Sequence, residues 1–186
     1  MRAVGYKESL PAEDPSSLLD ITVDDPVPGA NDLLVKVKAV AVNPVDTKIR
    51  MRMAPESGHK IIGWDAVGEV VSAGDKVTGF KTGDRVWYAG DLTRPGCNAQ
   101  LQTVDYRIVG KAPENLDDTQ AAALPLTSIT AWEILFDRLQ VDKPSPHNKR
   151  TLLIIGGAGG VGSVLIQLAA QLTDVTVIAT AFFFFF

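Results

Sequence analysis

Cysteine is nearly absent from this 186-residue sequence. The one cysteine, Cys97, has no second thiol to pair with, so no disulfide can form within the chain. A lone cysteine is typical of a reducing compartment, and we expect a cytoplasmic protein. Histidine is almost as scarce: His59 and His147 lie far apart, in loop-like segments. A catalytic zinc needs about three protein ligands from Cys, His or carboxylate side chains, and each of the two histidines is interpreted as a solvated loop residue.

An excess of basic residues is also missing. The chain has 18 Lys and Arg against 22 Asp and Glu, a net charge of −4, whereas nucleic-acid binders normally present a basic face. No apolar run reaches the roughly 20 residues of a membrane span, and the N-terminus lacks the apolar core of a signal peptide. We therefore expect neither nucleic acid nor membrane as a partner.

The first two thirds of the sequence contain short β-like runs separated by glycine and proline. Several alternate apolar and polar residues, which is typical of half-buried antiparallel strands. Closely spaced short strands predict a small barrel or sandwich. The clearest runs are LLVKVKAVAV (33–42), AVGEVVSAG (66–74), GDRVWYAG (83–90) and AQLQTVD (99–105).

Longer, helix-like patterns follow. TQAAALPLTSITAWEILFDRL (119–139) predicts two helices that meet near Pro125, and the polar segment 140–150 predicts a connector. TLLII (151–155) predicts a buried strand, VGSVLIQLAAQL (161–172) an apolar-faced helix, and VTVIAT (175–180) a second strand. Strand, helix and strand in this order are typical of a βαβ unit.

The turn between the first strand and the helix carries a glycine motif. GAGGVG (157–162) fits G-x-G-x-x-G with Gly157, Gly159 and Gly162. In such a motif the first glycine allows a tight turn, the second lets the backbone approach a pyrophosphate, and the third lets the helix pack closely. The helix N-terminus adds free N–H groups and a positive dipole end. The segment predicts a dinucleotide site, the alternative being a tight turn that binds nothing.

The chain resembles the medium-chain dehydrogenase/reductase superfamily, in its quinone-oxidoreductase (zeta-crystallin-like) branch, and is similar to proteins called zinc-type alcohol dehydrogenase-like. The resemblance covers residues 1 to about 181. It rests on four segments in the family's order: VKVKAVAVNPVDTKIR (35–50), IIGWDAVGEVVSAGDKVTGFKTGDRV (61–86), AALPLTSITAWEIL (122–135) and LLIIGGAGGVGSVLIQLA (152–169).

The resemblance implies a mixed β and α/β fold. A GroES-like β-barrel catalytic domain at residues 1–126 would precede the first part of a Rossmann domain, a doubly wound parallel sheet, at residues 127–186. Family members are longer, so the chain resembles the N-terminal part of such an enzyme, and the full-length protein is expected to be a homodimer. The phenylalanine run 182–186 stands where a ribose-binding residue is expected, and we interpret it as non-native.

The same resemblance bears on zinc. Where zinc alcohol dehydrogenases have a catalytic cysteine, this chain has Asn43, and where they have a histidine it has Trp64. The segment that matches their second cysteine, LPLTS (124–128), contains none. We therefore expect no zinc, and Asp65, which follows Trp64, is interpreted as structural.

The implied function is transfer of hydride from NADPH to a quinone or an α,β-unsaturated carbonyl compound. Asn43 is the candidate donor to the developing oxyanion, with Asp46 orienting its neighbours and Lys48 as a candidate donor or a solvated lysine. For the cofactor, the resemblance implies Asn43 and Pro44 beside the nicotinamide, and Thr127. The cofactor residues of the glycine turn are Gly157, Ala158, Gly159, Gly160, Val161 and Gly162.

Two alternatives stay open beside this reductase. The chain as given is an inactive fragment or a weak dinucleotide-binding module, or it is part of a zinc-dependent alcohol dehydrogenase, which the missing ligands disfavour. The sequence leaves the choice between NADP and NAD to the resemblance.

Overall fold

The computed structural model describes residues 1–141 and 150–181. The chain divides into two compact units, Met1–Pro125 and Leu126–Phe186, against a predicted boundary after residue 126. Most of the predicted connector, His147 and the five phenylalanines lie outside the described residues. In the described parts, no helix is long and apolar enough to cross a membrane.

The first unit consists mainly of short strands. A 3-10 turn at Tyr106–Ile108 follows the seventh strand. The strands are β1 Arg2–Tyr6, β2 Leu19–Thr22, β3 Asp32–Ala41, β4 Lys60–Ile61, β5 Asp65–Ala73, β6 Arg85–Ala89, β7 Leu101–Asp105 and β8 Gly110–Lys111, and the helices are α1 Pro44–Arg52 and α2 Asp118–Ala122.

These strands form two antiparallel sheets, of order β7-β3-β5-β6-β8 and β2-β1-β4. A single bridge between Ala3 and Ala99 connects the smaller sheet to the segment before β7. The predicted barrel is therefore not closed among the described residues. The edge strands of the larger sheet, β7 and β8, form no ladder with the edge strands of the smaller sheet, β2 and β4, in the part of the chain that the structure describes.

Alternating side chains of the larger sheet build the core of this unit. Most inward positions are apolar, as the alternation in the sequence predicted, although Asp65 and Gln102 are buried and Val71 is exposed. The buried cluster consists of Leu33, Val35, Ala66, Val70, Val86, Tyr88, Cys97 and Val104.

The second unit contains a βαβ unit. Helix α3 (Pro125–Trp132) continues into a π-helical segment, Glu133–Arg138. Then come β9 (Thr151–Ile154), α4 (Gly160–Leu172) and β10 (Thr176–Ala179), with β9 and β10 parallel and in register from Thr151 opposite Thr176. The predicted strand, helix and strand are confirmed, since the apolar positions of α4, including Leu165 and Ala169, face the core that Ile154 and Val175 also enter.

Helix α1 was not predicted from the sequence, and the residues on its buried face are charged. Its two buried residues are Asp46 and Arg50, one turn apart, and no apolar stripe accompanies them. Helix periodicity in the sequence is read from apolar residues, so this helix gives almost no such signal. Its start is nevertheless well specified, because Asn43 caps it, Pro44 is its first residue and Asp46 is an acidic residue of its first turn.

Candidate functional site

Asn43 is placed by the ends of two neighbouring strands. It follows the end of β3 by two residues and caps α1. In the β3–β5 pairing Ala41 lies opposite Asp65, the first residue of β5. This register brings Asp65 beside the start of α1 although 22 residues separate it from Asn43.

Two carboxylates hold Asn43. Its side-chain Nδ2 donates to Asp65 Oδ2 over 2.8 Å, and its backbone N–H donates to Asp46 Oδ2 over 2.7 Å. Asp65 is fully buried and Asp46 is 3% exposed. The hydrogen bond to Asp65 fixes the orientation of the amide, and within the described residues no acceptor is found for its second N–H. Asp65, interpreted as structural from the sequence, is therefore a direct partner of the predicted donor.

The Asp46 carboxylate has few hydrogen-bond donors around it. Its Oδ1 is buried and has no hydrogen-bond partner among the described residues. Burial raises the pKa of this carboxyl above 3.8, and the backbone N–H groups of Asn43 and Gly63 act in the opposite direction. The position of Asp46, with a bond to the backbone of Asn43, agrees with an orienting residue.

Cys97 lies next to this acidic cluster. It is fully buried, and its thiol donates to the backbone oxygen of Asp65 over 3.4 Å. Burial, with the charges of Asp46 and Asp65, raises the pKa of the Cys97 thiol to about 12. The thiol is therefore a structural group at neutral pH, with no thiolate for nucleophilic or metal chemistry.

Lys48 does not join the cluster. It is exposed on α1, whereas Asp46, two positions earlier, is buried. Two residues along an α-helix turn the side chain by about 200°, to the opposite side. The structure therefore brings Asn43, Asp46 and Asp65 together and leaves Lys48 on another face, while Pro44 is exposed at the first turn.

Gly63 and Trp64 close the cluster on the β5 side. Gly63 has φ +106°, and a Cβ there would lie 2.5 Å from Asn98 Oδ1 and 2.7 Å from Cys97 Sγ. Trp64 is 2% exposed. Asn43 and Trp64 thus occupy the two positions, and the described residues hold no group of three or more Cys, His, Asp or Glu that could bind a metal.

The glycine turn has a geometry that corrects one detail of the prediction. Gly156, not Gly157, adopts the left-handed conformation, with φ +78°. The tight turn thus begins one residue before the motif. Gly157 has a packing role instead, because a Cβ on it would lie 3.0 Å from the Cβ of Ala179 and from Ile166 Cδ1.

The later glycines allow close approaches. A Cβ on Gly162 would lie 2.8 Å from Gly157 Cα, so this residue lets α4 pack directly on the turn, as its place in the motif predicted. A Cβ on Gly160 would lie 3.0 Å from Thr127 Cγ2. The structure therefore places Thr127, which is the third residue of α3 and not its cap, beside the start of α4.

The turn is also attached to the end of β10. Gly157 N donates to the backbone oxygen of Thr180 over 2.7 Å, and Gly156 N to Thr180 Oγ1 over 3.3 Å. α4 begins at Gly160, and helix geometry leaves the N–H groups of its first turn without intrahelical acceptors. The sequence did not identify Thr180 as part of the turn. Its position at the end of VTVIAT was the one available signal, because it places Thr180 at the same edge of the sheet.

Comparisons with known proteins agree with this description. The alcohol dehydrogenase GroES-like domain family matches residues 29–114. A zinc-type alcohol dehydrogenase-like protein of Staphylococcus epidermidis is 43% identical over 182 residues, which are 97% of this chain and 54% of that protein. The 2-methylene-furan-3-one reductase of Solanum lycopersicum is 35% identical over 160 residues, which are 80% of this chain and 39% of that protein.

Solved structures give the same picture. A Rhizobium etli CFN 42 protein named for the zinc-dependent alcohol dehydrogenases superposes with TM-score 0.91 at 56% identity, over 97% of this chain and 53% of that chain. The Escherichia coli quinone oxidoreductase in complex with NADPH superposes with TM-score 0.77 at 27% identity, over 97% and 52%. The fold is thus that of a GroES-like domain followed by part of a Rossmann-like domain. The chain belongs to the medium-chain dehydrogenase/reductase superfamily, and it spans about half the length of the curated relatives it matches.

Proposed function

We propose that the protein to which this chain belongs is an NADPH-dependent oxidoreductase that reduces a quinone or an α,β-unsaturated carbonyl compound without zinc. The observation that carries the proposal is the glycine turn, where a Cβ would meet backbone atoms at Gly162 and make a tight contact at Gly157, beside the N-terminus of α4. The likeness to the NADPH complex of the Escherichia coli quinone oxidoreductase supports NADPH. The likeness to the tomato reductase supports an enone as a substrate class.

The turn at residues 157–162 would hold the pyrophosphate of the cofactor. The N–H groups at the start of α4 and the positive end of its dipole favour a negative charge there. Thr127, which contacts the position of Gly160, would border the same ligand. When bound, NADPH supplies the hydride.

Asn43 would stabilise the charge that develops on the substrate oxygen. A side-chain amide has two N–H donors, and Asp65 accepts from one of them. The second would then donate to the oxyanion, with Pro44 lining the nicotinamide end. A donor that is already oriented needs no rearrangement during the reaction, which is the condition for effective electrostatic stabilisation. Asp46 would act through the backbone of Asn43, and no step requires Lys48.

Zinc would have no role in this reaction. A zinc ligand must offer a lone pair, and the Asn43 Nδ2 that faces Asp65 donates a hydrogen bond instead. Several relatives have names that contain zinc. The proposal therefore predicts that this protein differs from the zinc-dependent alcohol dehydrogenases in needing no metal for its activity.

The experiment is an NADPH-oxidation assay of the full-length protein with a quinone and with an enone, in the presence and absence of a chelator. We expect turnover that the chelator does not change. Asn43→Ala is expected to lower kcat by about 10²-fold, the size found when one oxyanion donor is removed. Thr47→Val, an exposed position on the same helix, is the matched control. Alcohol oxidation that a chelator abolishes would contradict the proposal.

A second candidate concerns the chain as given. Leu153 and Ile178 lie opposite each other on the two-stranded sheet, and both are more than half exposed. This observation favours a chain that binds dinucleotide weakly and does not catalyse. A cooperative thermal transition of the 186-residue chain that NADPH raises would support binding, and turnover by this chain would exclude the inactive alternative. A homodimer and a cytoplasmic location are predictions from the sequence and the resemblance.

A further inference from the structure

Arg50 is a buried cation for which the described residues provide no carboxylate partner. It lies in the last turn of α1 and is 7% exposed. Its Nη1 donates to the backbone oxygen of Leu10 over 2.7 Å, the one hydrogen bond found for this side chain in the described residues. None of the ion pairs of the described residues includes Arg50.

None of the Arg50 nitrogen atoms is both buried and without a hydrogen-bond partner among the described residues, so the donors that Leu10 does not use reach solvent. Buried charges in proteins are normally paired or fully hydrogen-bonded. Asp46 lies one turn earlier on the same helix face, but it bonds to the backbone of Asn43 and forms no ion pair with Arg50. The negative end of the α1 dipole compensates the guanidinium only in part. A guanidinium has five N–H donors, and Leu10 accounts for one.

The guanidinium borders a cleft between α1 and the loop that joins β1 to β2. Residues 9–13 of the loop form one wall, and Arg50 and Met51 form the other. Further donors are available along the loop: for the Ser9 hydroxyl and for the backbone N–H groups of Ala12 and Glu13, no acceptor is found within the described residues. Tyr6 is not such a donor, because its hydroxyl donates to the backbone oxygens of Ile49 and Met53. Burial raises the pKa of Tyr6, and the charge of Arg50 lowers it by a smaller amount.

We propose that this cleft binds an oxyanion, a carboxylate or a phosphate group, through Arg50. The planar fork of a guanidinium matches both groups with two parallel hydrogen bonds. Glu13 is the one acidic residue of the cleft wall and is exposed, so water screens its charge. The site lies within the first unit and does not depend on the proposed reductase activity.

The test is a titration of the full-length protein with inorganic phosphate and, separately, with acetate, each at constant ionic strength with chloride as the balancing anion. Binding is followed by the NMR signals of the Arg50 side chain and of the Ala12 and Glu13 amides. We expect saturable shifts of these signals with at least one of the two anions. The ratio of the two affinities then distinguishes phosphate from carboxylate.

The variant Arg50→Gln removes the charge but keeps an N–H donor for Leu10, so it preserves the contact between helix and loop. It is expected to weaken binding about tenfold or more, as for loss of a charged hydrogen bond. Arg52→Gln, at an exposed arginine two residues later, is the matched control and should bind like the wild type. Arg50→Lys keeps the charge without the fork and should bind with intermediate affinity.

Three outcomes would overturn the proposal: the absence of saturable shifts with either anion, equal affinities of the wild type and Arg50→Gln, or equal losses in the Arg50 and Arg52 variants. The last result would show a general effect of surface charge. Because binding is measured directly, a failed activity assay of the full-length protein would leave these results unaffected.

Discussion

At the scale of single residues, the carboxyl groups at the start of α1 and on β3 have pKa values that are shifted in opposite directions. Asp46 is buried, and its own Oδ1 has no hydrogen-bond partner among the described residues. Burial raises the pKa of its carboxyl group. Asp32 accepts two hydrogen bonds from Arg94, at 2.8 and 2.9 Å, and these lower its pKa. The two carboxylates therefore contribute to stability with opposite dependence on pH.

The sign follows from linkage between proton binding and folding. Asp46 prefers its proton in the folded state, so its contribution to the unfolding free energy is fully present below the unfolded pKa and is lost as the pH rises through the raised pKa. Asp32 prefers to be ionised in the folded state, so its contribution is present above the unfolded pKa and is lost as the pH falls through the lowered pKa.

This predicts opposite trends for two amide variants. Between pH 3 and pH 7, about the range in which carboxyl groups titrate, the unfolding free energy of Asp46→Asn should rise relative to the wild type, and that of Asp32→Asn should fall. Each pKa unit corresponds to about 1.4 kcal/mol. Urea unfolding at several pH values measures both trends, and parallel trends in the two variants would contradict the assignment.

At the scale of secondary-structure elements, the glycine turn separates two requirements. Gly162 is needed for packing, because a Cβ would meet the backbone of the turn. Gly159 has φ −76°, which alanine adopts, and its Cβ would lie 3.3 Å from the Gly156 oxygen. In the proposed function, its place in the motif would let the backbone approach the pyrophosphate.

We therefore expect different defects from the two alanine variants. Gly162→Ala should lower the unfolding free energy of the second unit by about 1–3 kcal/mol, the usual cost of overpacking. Gly159→Ala should leave stability within about 1 kcal/mol of the wild type but weaken NADPH binding. Urea unfolding together with NADPH fluorescence titration distinguishes them. Equal loss of stability in both variants would show that the turn is only a packing device.

Some of the strands and helices could be predicted from the sequence and others could not. Strands β3, β5, β6 and β7 were identified from alternation, and β9, α4 and β10 from the glycine motif and its flanks. α1 was not, because its buried face consists of Asp46 and Arg50 and carries no apolar period. β1 and β2 were missed as well, since each is short and lies beside a loop rich in polar residues.

The candidate site was predictable only in part for a related reason. Asn43 and Asp46 are close in sequence, so a motif could identify them together. Asp65 reaches Asn43 through strand register, which depends on where β3 and β5 pair. Thr127 reaches Gly160 through the packing of two helices. Such contacts are set by tertiary structure, and local patterns do not contain them.

At the scale of the whole chain, the apolar surface of the second unit matters most. β9 and β10 form a two-stranded sheet on which Leu153 and Ile178 are 58% and 51% exposed, with Ile155 just beyond the strand. Adjacent exposed apolar side chains on a short sheet promote association. We predict that the 186-residue chain self-associates as its concentration rises.

Sedimentation velocity over a range of concentrations measures this association. Ile178→Lys should shift the distribution toward monomer, because it places a charge in the apolar face. Val27→Lys is the matched control, since Val27 is 87% exposed and belongs to the first unit. An equal effect of both variants would point to net charge, and unchanged association in Ile178→Lys would mean that another surface is responsible.

The burial of Cys97 gives the molecule an internal reporter. Its thiol is inaccessible and almost fully protonated at neutral pH, and the chain has no other cysteine. A thiol-specific reagent can therefore modify the protein only when the first unit opens around the Asn43–Asp65 contact. The rate of modification then reports the frequency of that opening directly, without any engineered label.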